Sequence, residues 1–124
     1  MQSDQPYLTV MDHNFDETVI NNKQPVLVVF ATEWSGSCHI IDPILKGLAS
    51  KYKNRIKFCK IDADKNTRTT LSYGIYEFPT LLFFKNGQII DHISGVVTKK
   101  ELGARIERML ESADSSESSI NSFV

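Results

Sequence analysis

The chain has 124 residues, 41% of them hydrophobic and 23% charged, enough for one packed domain and ordinary for a globular protein. A net charge of -1 excludes a global field that would draw the chain to nucleic acid or to an anionic membrane surface. Two cysteines are too few for a disulfide framework, and no apolar run approaches the ~18 residues of a membrane span. Met1-Gln2-Ser3-Asp4-Gln5 has neither a basic region nor an apolar signal core, so the expected location is cytoplasmic.

Residues 1–6 are polar and read as a flexible N-terminus. Tyr7-Leu8-Thr9-Val10 alternates as a short strand. Asn14 precedes Phe15, Val19 and Ile20, with Glu17 three residues on, a pattern that predicts an N-cap and a first helix. The run Val26 to Phe30 reads as a buried strand. After a turn, Ile40, Ile41, Ile44, Leu45, Leu48, Ala49 and Tyr52 recur on one face of a helix that contains Pro43, expected to kink it, and Gly47, which suits close packing. Ile56 to Ile61 predicts a third strand, Asp62 to Asn66 a loop, and Thr67 to Tyr73 a short helix closed by Gly74. Thr80 to Phe84 and Ile89 to Ile93 pair through Asn86-Gly87, residues that tolerate positive φ in a tight hairpin. Thr98 with Glu101 forms a capping box before a last helix striped by Leu102, Ile106, Met109 and Leu110. From Ser112 to Val124 the composition shifts to Ser, Asp, Glu and Asn and reads as a flexible tail. The order β-α-β-α-β-α-β-β-α combines crossover helices with one hairpin. It predicts an α/β fold with a mixed five-stranded sheet covered by helices on both faces.

The chemistry concentrates in Glu33-Trp34-Ser35-Gly36-Ser37-Cys38-His39, at the passage from the central strand into the long helix. Unpaired N–H groups and the macrodipole at a helix N-terminus favour negative charge, so a thiol there ionises more readily. Trp34-Ser35-Gly36-Ser37-Cys38 resembles the Trp-Cys-Gly-Pro-Cys redox centre of the thioredoxin family, with serine at the first cysteine. The resemblance extends over roughly residues 7–111 through Pro43, Asp62-Ala63-Asp64, Tyr73-Gly74-Ile75, Phe78-Pro79-Thr80, Phe84-Lys85-Asn86-Gly87 and Gly95. It implies a thioredoxin fold. It also implies that Cys38 stands at the second, resolving cysteine and Ser35 at the lost attacking one. Serine is far too weakly acidic to replace that thiol without a general base, and its ordinary role here is an N-cap.

Two further departures from the family pattern accompany Ser35. Ser37 replaces the motif's proline, and Val29 occupies the place of the buried aspartate under the redox centre. Lys60 matches the lysine near that acid and is left to pair elsewhere, to reach water, or to sit buried with a lowered pKa. Pro79 matches the family's cis-proline, and Trp34, Gly36, Phe78, Pro79, Gly95 and Val96 would frame the groove that receives an extended peptide. The groove survives while the nucleophile does not.

The leading expectation is therefore a thioredoxin-like protein that binds a protein or extended peptide through the Trp34/Pro79 groove without dithiol turnover. Two rivals stand beside it: a single-cysteine thiol-disulfide oxidoreductase acting through Cys38, and a structural docking subunit of a complex. Cys59 reads as core, and a Cys38–Cys59 disulfide is not expected. His13, His39 and His92 are scattered, so neither a metal site nor a cofactor is expected. Ser122-Phe123-Val124 weakly resembles a terminus that a PDZ domain captures at Val124.

Overall fold

The computed structural model describes the backbone of residues 7–123 and the side chains of residues 7–111. Five strands, β1 (Tyr7–Val10), β2 (Val26–Ala31), β3 (Lys57–Asp62), β4 (Thr80–Lys85) and β5 (Gln88–Ser94), form one sheet in the order β1-β3-β2-β4-β5. β1 and β2 both run parallel to β3, while β4 runs antiparallel to β2 and to β5. The chain is an α/β fold with a mixed five-stranded sheet.

Period-2 alternation sorts the central strands between two cores. Leu27, Val29 and Ala31 of β2 and Leu81 and Phe83 of β4 pack with the long helix α1 (Gly36–Lys51) and the last helix α3 (Lys99–Phe123). Val26, Val28, Phe30, Leu82 and Phe84 point the other way, into a cluster with Phe15 and Val19. All six residues of β2 are buried, which accounts for its unbroken apolar run. The β4–β5 hairpin turns on Asn86 (φ 53°) and Gly87 (φ 80°). A register shift after Phe83, where Phe83 pairs with Asp91 but Phe84 with Ile89, leaves a bulge at Ile90.

The first predicted helix is not an α-helix. A 3-10 turn (Asp12–Asn14) and a π-turn (Asp16–Ile20) stand in its place. Asn14 does not cap the π-turn; its Oδ1 accepts from the N–H of Met11 at 2.8 Å. Long-range bonds compete with helix continuation here. Asp12 N–H donates to Asn66 Oδ1 at 2.8 Å, and Asp12 Oδ1 accepts from Thr69 N–H at 2.9 Å, at the start of α2 (Thr67–Ser72). Phe15 is fixed by ring contacts to Tyr73 and Phe84, with centroids 5.7 and 5.9 Å apart.

The hydrogen bond from Thr69 holds the Asp12 carboxyl below its ordinary pKa. A carboxyl depressed in the folded state contributes stability above its unfolded pKa and loses it as pH falls through the folded value. The melting temperature of Asp12→Asn is accordingly expected to fall less steeply than that of the wild type between about pH 5 and pH 3. Parallel pH profiles in a thermal melt check this, and superimposable slopes would remove Asp12 from the acid response.

Thr98 accepts from Glu101 N–H at 3.0 Å, but the Glu101 carboxylate turns to Arg105 Nε at 3.0 Å instead of closing the box. Arg105 also binds Asp91 of β5 through Nη1 at 2.8 Å, tying α3 to the edge strand. The backbone of α3 is helical through Phe123, across the stretch that composition reads as a tail; the side chains of 112–124, with the PDZ-type terminus at Val124, lie outside the described residues, as do residues 1–6.

Candidate functional site

Ser35 is the N-cap of α1, in extended backbone conformation (φ -91°, ψ 120°). Its Oγ accepts from Cys38 N–H at 3.4 Å, and its hydroxyl lies 3.5 Å from the Phe78 carbonyl, the acceptor on the facing loop. Both contacts are long, so the hydroxyl bridges the helix end and the loop loosely. Ser35 is thus a helix cap.

Phe78–Pro79 is a cis peptide, and Gly95 N–H donates to the Pro79 carbonyl at 2.7 Å. Gly95 has φ 90°, a conformation that a side chain would strain, although a Cβ there would meet nothing within 4 Å. Trp34 packs edge-on to Phe78, with ring centroids 6.3 Å apart, while its indole N–H donates to Asp64 Oδ2 at 2.8 Å. Trp34 is 70% exposed and Val96 50% exposed, Gly36 is exposed, and Pro79 is buried. These contacts link Trp34, Ser35, Phe78, Pro79 and Gly95 directly. Val96 follows Gly95 in sequence, and Gly36 opens the helix beside Ser35. The indole anchor on Asp64 is a finding of the structure; the Asp62-Ala63-Asp64 landmark carries no sequence signal of that role.

Cys38 lies one turn into α1, 6% exposed, and packs in the same core cluster as Val29. Val29 is 1% exposed and is the register partner of Lys60. Lys60 finds its carboxylate on α1: its Nζ stands 3.4 Å from Asp42 Oδ1, and Lys46 Nζ is 3.3 Å from Asp42 Oδ2. Of the open possibilities for Lys60, it pairs elsewhere and, with its side chain 44% exposed, also reaches water. His39 Nε2 is 2.7 Å from the Glu33 carbonyl, an acceptor, so the ring donates from Nε2 across the motif.

Cys59 is free, fully buried, and packs on the opposite face of the sheet from Cys38. Burial pushes its thiol up to about 12. Among the described residues, no group of three or more His, Cys, Asp and Glu side chains is placed to hold a metal ion, and no helix is long and apolar enough to cross a membrane.

A thioredoxin family model matches residues 6–108. Over 101 residues the chain is 42% identical to the chloroplastic M-type thioredoxin of Pisum sativum, covering 82% of this chain and 59% of that protein's length. It is 37% identical to a thioredoxin of Synechocystis and 38% identical to one of Porphyra purpurea, each match covering 82% of this chain and 94% of the relative. The fold, the motif position and these matches agree: the chain belongs to the thioredoxin family.

Proposed function

We propose that this protein is a thioredoxin-like redox-family member that binds an extended segment of a partner protein in the Trp34/Pro79 groove and does not turn over disulfides as a dithiol enzyme. The observation that carries the reading is the contrast at the N-terminus of α1. Ser35, a capping hydroxyl, would occupy the attacking position, and Trp34, Phe78, Pro79 and Gly95 are linked by contacts beside it. A hydroxyl is too weak a nucleophile to open a disulfide without a base, and the residue beneath the motif, Val29, is not one. Binding requires less. An exposed aromatic anchor beside a fixed loop supplies apolar area at low entropic cost. A reducing compartment, the cytoplasm in the sequence reading, suits a chain with two free cysteines. The relative from pea is named as chloroplastic, so the compartment is part of the proposal.

The test uses reduced, carboxymethylated insulin B chain, an extended apolar peptide with no free thiol, as the probe. The wild type is expected to bind it, and in a separate assay to reduce intact insulin no faster than dithiothreitol does alone. Trp34→Ala is expected to weaken binding by about 1–2 kcal/mol, a roughly 5- to 30-fold rise in Kd, because hot spots concentrate on such aromatics. Calorimetry checks this. Equal affinity of wild type and variant would remove the groove from the binding surface.

A further inference from the structure

The groove lies at the N-terminal end of α1. A separate concavity of about 620 Å³ lies between the other half of that helix and the start of α3, and no groove residue lines it. Its volume falls in the ~300–1,000 Å³ range of ligand sites.

Three ammonium groups stand around this concavity. Lys51, Lys99 and Lys100 are exposed, and none of them forms an ion pair among the described residues. Lys51 Nζ lies over the Tyr52 ring instead, 5.3 Å from its centroid. The carboxylate in the lining, Glu107, is already engaged. The Tyr52 hydroxyl donates to its Oε2 at 2.5 Å, and Arg55 Nη2 stands 3.9 Å from the same oxygen. The concavity therefore holds an excess of positive charge with no internal counterion. The whole chain carries a net charge of -1, so the excess is local.

Local stability does not account for these lysines. Lys99 and Lys100 open α3, a 25-residue helix whose first turn favours anions over cations. Lys51 alone sits where its helix favours a cation, in the last turn of α1. It faces the other two across the concavity, so the like charges repel. A bound anion relieves both terms. The rest of the lining narrows the kind of anion. Leu48, Gly103 and Ala104 supply an apolar floor that a bare phosphate would leave uncovered, and the lining holds no guanidinium fork of the kind that suits phosphate. Carboxylates spaced along a peptide, with an apolar side chain between them, match both the lysines and the floor.

We infer that this concavity docks an acidic segment of a partner protein, its carboxylates on Lys51, Lys99 and Lys100 and an apolar side chain against Leu48 and Ala104. The inference does not rest on the groove reading, because no groove residue takes part.

The probe is the peptide Glu-Glu-Leu-Glu-Glu, acetylated and amidated at its ends, titrated into isotope-labelled full-length protein and followed by amide chemical shifts. Its Gln-for-Glu analogue and inorganic tripolyphosphate are titrated in parallel. Saturable shifts are expected at Lys51, Lys99, Lys100, Gly103 and Ala104. The neutral analogue should bind at least about tenfold more weakly, and raising salt from about 20 to about 200 mM should weaken the acidic peptide severalfold. Lys51→Gln, Lys99→Gln and Lys100→Gln should each raise Kd by about two- to fivefold, the range of single exposed ion pairs, and the triple variant by more than about tenfold. Lys65→Gln, an exposed lysine outside the concavity, should leave Kd unchanged. The three single variants decide the matter if the triple variant fails to fold. Equal affinity for the neutral analogue would overturn the inference, as would shifts confined to other residues. A Kd that responds to Trp34→Ala and not to the lysines would move the peptide to the groove. Tighter binding of tripolyphosphate with the same lysine dependence would make this a phosphate site. A dimer in sedimentation that the triple variant abolishes would assign the surface to a second copy. Each of these three results equally overturns it.

Discussion

Ser35→Cys is expected to turn this scaffold into a working protein-disulfide reductase. The position is already prepared for a thiolate. It is the N-cap of a 16-residue helix, its side-chain oxygen already accepts from Cys38 N–H, and it stands three residues from a cysteine. A sulfur there gains the same N–H and the positive end of the dipole, the combination that lowers thiol pKa in Cys-X-X-Cys motifs. With dithiothreitol as terminal reductant, insulin reduction should rise by on the order of 100-fold over the wild type. That is a cautious share of the ~10⁶-fold that removal of a nucleophile costs elsewhere. The double variant Ser35→Cys/Cys38→Ser should accumulate a mixed disulfide with the substrate, because attack is restored while release is not. Loss of the serine cap should lower stability by about 1 kcal/mol, so a thermal melt accompanies each rate. If folded Ser35→Cys is as silent as the wild type, the missing thiol is not what separates this chain from dithiol chemistry, and the groove reading loses its premise.

The parts of the fold that are legible in the sequence are those whose signal is local and redundant. Val26 to Phe30 is buried on both faces, and a doubly buried strand has only one apolar pattern to show. Asn86-Gly87 carries the positive φ that its residue types tolerate. The segment from Asp12 to Ile20 departs from its predicted helix because its decisive bonds are to Asn66 and Thr69, more than fifty residues away, and no window around Asn14 contains them. Gly47 suits close packing by residue type, yet a Cβ there would meet nothing within 4 Å. Composition alone does not say which neighbour a helical glycine faces.

The site divides in the same way. The cap at Ser35 is legible in a serine preceding a helical pattern, and the burial of Cys38 in its place one turn in. The partner of Lys60 is not. Asp42 reaches it across the space between α1 and β3, and at the sequence level it is one polar residue among several on that helix. The resemblance points to the carboxylate absent at Val29, not to one arriving from another element. The cavity lined by Thr9, Thr32, Asp42, Lys60 and Lys65 is illegible for the same reason: it exists only once three strand ends and a helix terminus meet.

The second large effect is expected from Val29→Asp, which places a carboxyl beneath the motif. Val29 is 1% exposed in the cluster that holds Cys38, Leu81 and Ile41, so the new group loses nearly all of its water. Desolvation without a preformed partner costs about 2–4 kcal/mol in comparable cores. Lys60, its register partner on β3, is a nearby cation able to offset part of this, at the expense of its present contact with Asp42. The sign of the pH dependence comes from burial. The folded pKa of the new carboxyl is raised above its unfolded value of about 3.9, so the variant is least destabilised below that value. The deficit then grows as pH rises through the unfolded pKa and levels off above the folded one. Urea denaturation at pH 4 and pH 8 should give a larger gap between variant and wild type at pH 8. An equal gap at both would mean that the carboxyl reaches water and keeps its ordinary pKa. In the Ser35→Cys background the same substitution should raise reductase turnover at neutral pH, because a carboxylate beside Cys38 accepts the proton that its thiol must lose before attack. Stability and activity then move in opposite directions at one residue. Valine under the motif would thereby mark a scaffold that keeps its core dry where a dithiol enzyme keeps a base.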